Sequence, residues 1–416
     1  MESVGSHLWR LIKRVLLIGF IVQMFTAIAL MIFDSIRKRR NELEVDVSSL
    51  TDGPITVGIN GTKATLFTNG ADLYDDMLHA IDNAKETIYL ETYIWKADKV
   101  GQKFKDAVIR AAERGVKVFI GFDKFANLVV PKNFKQFPFD IKVLEFPIYG
   151  GGLPSLRSLA LNHRKLLVID HNIGYVGGFN IGSLYRTQWR DTHIKFEGEA
   201  VWDLENAFID FWNTYRNPSD PRHPEIPDAG TQDWDPTIKT HRNLPGQLMF
   251  PIRNMYMEAI DRAVSHIYIT QGYFIPDHDM IRGLIAARAR GVDVVVLMPE
   301  WSNHVLADVI ARGFFTKLLK NGIRIMLYQD AMVHSKTATI DGKWTTIGTA
   351  NIDRLSLQGN YELNVEVIDD NLAAAMEKMF ERDLANAREL TLAEWEDRHI
   401  LAKISESIIG PFRPLV

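Results

Sequence analysis

A histidine, a lysine two positions on and an aspartate five beyond that occur twice in this 416-residue chain, as His163-Lys165-Asp170 and as His334-Lys336-Asp341. One His-x-Lys is worthless as a signal, because short patterns recur by chance. Here, however, a constant offset of 171 residues superposes both sets, and it also pairs Gly177 with Gly348, Asn180 with Asn351 and Asp191 with Glu362. Two imidazoles, two ammonium groups and two carboxamides form a set suited to phosphodiester exchange. One imidazole can attack phosphorus, and the other, protonated, can deliver a proton to the departing alkoxide and then activate the incoming alcohol or water. Lys165, Lys336, Asn180 and Asn351 can stabilise charge on the nonbridging oxygens.

The apolar runs after each lysine, Leu166–Ile169 and Thr337–Ile340, read as buried strands. A histidine and lysine two apart at the start of such a strand project from one face, whereas Asp170 and Asp341, seven positions from their histidines, fall on the other. Those two aspartates therefore read as structural anchors within the motif. Asp191 and Glu362, each 28 residues beyond a histidine, are candidates to hold an imidazole tautomer, as a carboxylate does in a catalytic triad. Gly177, Gly178 and Gly348 read as relief of backbone crowding, and His171, His193 and His304 as ordinary surface or satisfied core groups. Neither a metal nor another cofactor is expected: an ammonium beside each histidine would repel a divalent ion and does the charge-neutralising work itself.

These residues need a duplicated scaffold, and the sequence contains one. Ala80-Ile81-Asp82, a strand-like Thr87–Leu90 and a helical stretch ending at Arg114-Gly115 are matched by Ala259-Ile260-Asp261, His266–Ile269 and a stretch ending at Arg290-Gly291. Each half reads as helix, strand, helix, strand, which predicts α/β architecture with mixed sheets flanked by helices and pseudo-twofold symmetry. The expected divisions are a first half at 55–216, a linker at 217–246 and a second half at 247–416. The linker holds six of the sixteen prolines and almost no apolar periodicity. Leu372 to Arg398 reads as one long amphipathic helix.

The segments Asn162-His163-Arg164-Lys165-Leu166-Leu167-Val168-Ile169-Asp170 with Gly177-Gly178-Phe179-Asn180, and His334-Ser335-Lys336-Thr337-Ala338-Thr339-Ile340-Asp341 with Gly348-Thr349-Ala350-Asn351, resemble the phospholipase D superfamily. The resemblance runs from about Ile55 onward and is nearest to bacterial cardiolipin synthase-like members. Tyr273-Phe274-Ile275-Pro276-Asp277 and the stretch from Gly198 to Trp212 support it. Thr349 stands where many members have serine, and the loop after Asp123 differs from the glycine-rich one common in cardiolipin synthases. The resemblance implies two phospholipase D-like halves and a phosphatidyltransferase that joins two phosphatidylglycerol molecules through a phosphohistidine and releases glycerol. Other readings of the same residues are a phospholipase D-type hydrolase, a phosphodiesterase acting on nucleic acid, and a lipid-binding scaffold without turnover.

Composition narrows these readings. With 46% hydrophobic and 24% charged residues the chain is globular, and without cysteine it has no thiolate nucleophile. Val15–Phe33 is an uncharged apolar run between Arg10, Lys13, Arg14 and Arg37-Lys38-Arg39-Arg40, long enough for one transmembrane helix within an anchor at 1–45. The flanking charge favours a cytoplasmic catalytic part. Beyond residue 40 there remain 41 basic and 50 acidic residues, which offers no support for nucleic acid as partner. The juxtamembrane arginines suit an anionic phospholipid surface instead.

Overall fold

The computed structural model describes residues 46–147, 160–233 and 235–410, with scattered positions between Trp9 and Ile32. Eight strands precede the middle of the chain: β1 (Ile55–Ile59), β2 (Thr62–Asn69), β3 (Thr87–Thr92), β4 (Lys117–Asp123), β5 (Lys142–Phe146), β6 (Leu166–Ile169), β7 (Ile173–Gly177) and β8 (Trp189–Glu197). They form one sheet in the order β1-β2-β8-β7-β6-β3-β4-β5. Strands β3, β4 and β5 run parallel, joined through crossovers, and the rest pair antiparallel. The second set is β9 (Ile238–Asn243), β10 (His266–Gln271), β11 (Asp293–Pro299), β12 (Arg324–Tyr328), β13 (Met332–Val333), β14 (Lys336–Ile340), β15 (Trp344–Gly348), β16 (Glu362–Ile368) and β17 (Ala387–Glu389). Its sheet order, β17-β12-β11-β10-β14-β15-β16-β9, repeats the first from β9 onward, with β9 in the place of β2.

Helices flank both sheets. Lys99–Glu113 begins at Asp98, whose carboxylate accepts from the N–H groups of Val100 and Gly101, and His278–Ala289 is capped in the same way by Asp277. Val176 and Ile194 of the first sheet share one core with Ile347, Leu363 and Val365 of the second, so the halves are fused by burial.

Two expectations need correcting, and a third falls partly outside the described residues. The linker assigned to 217–246 contains β9, which pairs antiparallel with β16 over six residues. An edge strand reading Ile-Lys-Thr-His-Arg-Asn, buried only at its two ends, has no apolar run to betray it. The long helix expected over 372–398 is instead a helix Asp370–Leu384, the edge strand β17 and a short helix Leu392–Glu396. There, Leu390 N–H bonds Ile325 O and Trp395 packs into the core, so tertiary pairing overrides helical periodicity. Among the described residues no helix is long and apolar enough to cross a membrane, and the span expected at about 15–33 lies partly outside them. Within that run Gln23 Nε2 donates to Ile408 O of the helix Ile400–Ile409 at 3.2 Å.

The two motif aspartates lie just past the ends of β6 and β14, beside the starts of β3 and β10. The Asp170 carboxylate accepts from the N–H groups of Lys85, Glu86 and Thr87 at 2.8, 2.8 and 3.0 Å, and Asp341 accepts from Val264, Ser265 and His266 at 2.9, 2.8 and 2.9 Å. Both have left-handed backbone, φ +50° and +56°, which aspartate tolerates better than most residues. They fasten the entry to β3 and β10 at the sheet end opposite the histidines. Burial pushes the Asp341 carboxyl up, but the three N–H groups outweigh it and hold it below the ordinary range. Asp341→Ala removes three charge-assisted bonds and strains a positive φ. It should cost about 2 to 4 kcal/mol in denaturant unfolding, and a midpoint equal to the parent's would show that the anchor carries no stability.

Candidate active site

The site forms because each half lends a short segment to the other. Strand β13, from the second half, adds parallel to β8 of the first with Val333 opposite Arg190, and His334 N–H then donates to Arg190 O at 2.7 Å. The reciprocal contact is a parallel bridge between Asn162 and Tyr361, after which His163 N–H donates to Tyr361 O at 3.0 Å. These exchanges seat each histidine beside the carboxylate that begins or enters the other half's strand. His334 Nδ1 lies 2.7 Å from Asp191 Oδ2, and His163 Nδ1 lies 3.0 Å from both Glu362 oxygens. The pairing therefore crosses the halves and does not follow the 28-residue spacing within each. Nδ1–H donates to the carboxylate, which leaves Nε2 of each ring as the nitrogen able to accept a proton or attack.

The glycines and Thr349 make room for this. A Cβ on Gly178 would meet Asp191 Oδ1 at 2.0 Å, and one on Gly348 would meet Asn364 Oδ1 at 2.2 Å, so the carboxylate and the amide that supports the facing turn need glycine there. Thr349 Oγ1 donates to Glu362 Oε2 at 2.5 Å, a bond that the serine of the resembling motifs would also make.

Lys165 and Lys336 lie beneath the histidines, 2% and 0% exposed. Lys165 Nζ donates to His163 O at 2.6 Å, and Lys336 Nζ donates to His334 O. Burial lowers Lys165 to about 7 and Lys336 to about 8, against the pull of Asp191 and Glu362. Burial also lowers both histidines, with the lysine charges adding to it. His334 falls to about 3, and His163 is lowered despite Glu362. Burial raises the Asp191 carboxyl, but Lys336 and His334 together bring it below its usual range. The empty site thus holds neutral imidazoles over ammonium groups, arranged to receive an anion.

His163, His334, Asn180 and Asn351 line one cavity of about 600 Å³. Asn180 Oδ1 accepts from Ile94 N–H at 3.1 Å, leaving its NH₂ as the donor for a ligand. Asn351 Oδ1 is buried with no hydrogen-bond partner among the described residues. Apart from Tyr273 and Ile275, quoted only within the family resemblance, and His304, read as ordinary, the other walls were not singled out in the sequence. Tyr93 meets the His163 ring edge-on at 4.6 Å, and Trp189 lies 4.8 Å from His334. Val305, Leu306 and Ile310, at the start of the helix Val305–Lys320, make an apolar wall with Leu355. The carboxyl of Asp353, raised to about 6 by burial, also lines the cavity. Tyr93 follows the end of β3, as Tyr273 follows that of β10, a strand-end position that could have flagged it. Asp353 falls opposite Gly182 at the 171-residue offset and so carries no repeated signal.

Of the histidines read as ordinary, His171 bonds Glu205 at 2.6 Å, whereas His304 lines the cavity. His193 is buried with neither ring nitrogen bonded among the described residues, and burial holds it neutral, at about 3.

Two fused α/β halves that place paired histidines and asparagines at one cavity, with a buried lysine bonded to each histidine's carbonyl, define a phospholipase D-type enzyme. Residues 77–212 and 256–384 match the family described as cardiolipin synthase, PLD-like domain. The cardiolipin synthase of Clostridium perfringens (strain SM101) is 32% identical over 84% of this chain and 76% of its own length. The major cardiolipin synthase ClsA of Bacillus subtilis (strain 168) is likewise 32% identical, over 84% and 75%. In fold, the chain is similar to phosphatidylserine synthase of Haemophilus influenzae, with a TM-score of 0.67 at 14% identity over 88% of this chain and 96% of that one. The chain belongs to the cardiolipin synthase family of phospholipase D-like proteins.

Proposed function

We propose that this chain is a membrane phosphatidyltransferase that converts two molecules of phosphatidylglycerol to cardiolipin and glycerol through a phosphohistidine. The observation that carries this reading is the pair of imidazoles at one cavity, each held by a carboxylate from the opposite half, above two buried lysines and beside an apolar wall. His163 Nε2 attacks phosphorus, the P–O bond to glycerol breaks, and the His334 imidazolium gives its proton to the departing alkoxide. A second phosphatidylglycerol then loses a hydroxyl proton to His334 and attacks phosphorus, breaking the P–N bond. In the empty site burial keeps His334 neutral, at about 3; the bound phosphodiester anion counters the lysine charges, and the 2.7 Å contact with Asp191, the shorter of the two His–carboxylate pairs, then supports imidazolium at His334, hence the order of roles.

Lys165, Lys336, Asn180 and Asn351 hold the phosphoryl oxygens, and the wall of Val305, Leu306 and Leu355 takes the apolar part of the lipid. The apolar run Val15–Phe33 serves as a single-pass anchor with the catalytic part on the cytoplasmic side. The test is lipid extraction after expression in a host without cardiolipin synthases. Cardiolipin with equimolar glycerol is expected; phosphatidic acid alone would establish a hydrolase instead.

A pH dependence follows from the lysines. Each is cationic below its lowered pKa and neutral above it, so the empty site loses charge as pH rises through about 7 and then about 8. Above a pKa each further pH unit removes about nine-tenths of the remaining cation, so kcat/KM should fall roughly tenfold or more between pH 7 and 9. A bound phosphodiester anion raises the lysine pKa values, so kcat should decline later than kcat/KM. A kcat/KM flat to pH 9 would mean that the ammonium charges do not bind the substrate.

A further inference from the structure

The loop between β4 and β5, which departs from the glycine-rich form common in cardiolipin synthases, has a shape the chemistry above does not use. Its stem is fixed. Asn127, 1% exposed, donates through Nδ2 to Tyr93 O at 2.8 Å and Asp123 O at 2.7 Å, and its Oδ1 accepts from Trp95 N–H at 2.9 Å. The Asp123 carboxylate accepts from Asn162 N–H, next to His163, at 2.9 Å. Phe134 and Phe137 face Trp95 at ring distances of 6.3 and 5.8 Å, closing the underside. From this clamped base Phe125, Leu128 and Val129 project at 50%, 56% and 82% exposure, and Phe139 at 62%.

Turn bonds, Leu128 N–H to Phe125 O and Val130 N–H to Asn127 O, hold the first three outward. Between residues 124 and 140 the chain carries Lys124, Lys132 and Lys135 against Asp140 alone, inside a protein of net charge −4. Exposed large apolar groups on a fixed loop, within a basic segment, match a surface that is apolar beneath an anionic face.

We propose that this loop seats the catalytic part on an anionic lipid bilayer, with Phe125, Leu128 and Val129 entering the acyl boundary and the exposed Lys124 and Lys132 meeting headgroup phosphates, while Lys135 donates to Asn127 O within the loop. Because Asn127 ties the loop to Tyr93, and Tyr93 packs on His163, docking sets the height of the active site above the bilayer. The inference rests on the lipid substrate read above and adds how that substrate is reached.

The chain has no cysteine, so Val129→Cys gives a single labelling position in the full-length protein. Val264, 80% exposed at the opposite end of the second sheet beside Asp341, is the control. Each variant carries an environment-sensitive fluorophore and is reconstituted in vesicles of phosphatidylglycerol and phosphatidylcholine containing brominated acyl chains. The label at 129 should shift to the blue and be quenched by bromine, less so in phosphatidylcholine alone, while the label at 264 stays water-like. A blue shift without bromine quenching would assign the surface to protein contact, and a water-like label at 129 would leave it undocked. Either result overturns the proposal.

The combined variant Phe125→Ser, Leu128→Ser, Val129→Ser should lose most activity on vesicles but keep it on monomeric short-chain phosphatidylglycerol, and equal loss on both overturns the proposal. A parent that makes cardiolipin with a water-like label fails the docking alone. A parent that makes none fails the functional reading.

Discussion

His163→Ala and His334→Ala should each lower cardiolipin formation by roughly 10³-fold or more, since removing either member of an acid–nucleophile pair disables the whole step. The two losses should differ in kind. With a phosphatidyl ester of nitrophenol, whose leaving group needs no protonation, His334→Ala should still form the phosphoenzyme and release one nitrophenol per site. His163→Ala should release none. The reverse pattern would exchange the two roles. Two in-line displacements leave the configuration at phosphorus unchanged, so an inverted product from a chiral-phosphorus substrate would sink the covalent route even with both histidines essential.

The second large effect comes from the carboxylates and depends on their crossing. Asp191→Asn should cost roughly 10²- to 10⁴-fold, because the amide no longer holds Nδ1–H or stabilises the imidazolium. It lies in the half that supplies His163, yet it touches His334. Its phenotype should therefore copy His334→Ala, with recovery on the nitrophenyl ester, while Glu362→Gln should copy His163→Ala and show no recovery. Copying in the opposite sense would mean that each carboxylate acts within its own half. Thr349→Ala, which removes only the hydroxyl bonded to Glu362, should weaken the His163 step mildly and leave the His334 step intact.

A constant 171-residue register was enough to group the histidines, lysines and asparagines, because a duplicated fold puts equivalent residues at equivalent places. Strand parity also separated Asp170 and Asp341 from the reacting groups, since backbone period two is a local property. Local pattern likewise showed helix alternating with strand, as apolar spacing and helix-stopping glycines are written into each segment. It could not show β9, a half-polar edge strand whose only reason to be extended is β16 beside it, nor the break of the expected C-terminal helix at β17, where pairing with β12 outweighs helical spacing.

Three features of the site were decided only in three dimensions. The carboxylate that serves each imidazole depends on β13 joining β8 and on Asn162 meeting Tyr361, contacts between residues far apart in the chain that no spacing encodes. The protonation states depend on burial: His334 and Lys336 look like an ordinary base and an ordinary cation in the sequence, and desolvation lowers them to about 3 and about 8. The apolar wall depends on where the helix Val305–Lys320 begins relative to the cavity. By itself the sequence determined which side chains the two halves bring together at the site. The packing of one half against the other decided which carboxylate holds which imidazole and what charge each group carries, because both depend on distances and solvent exclusion that exist only after folding.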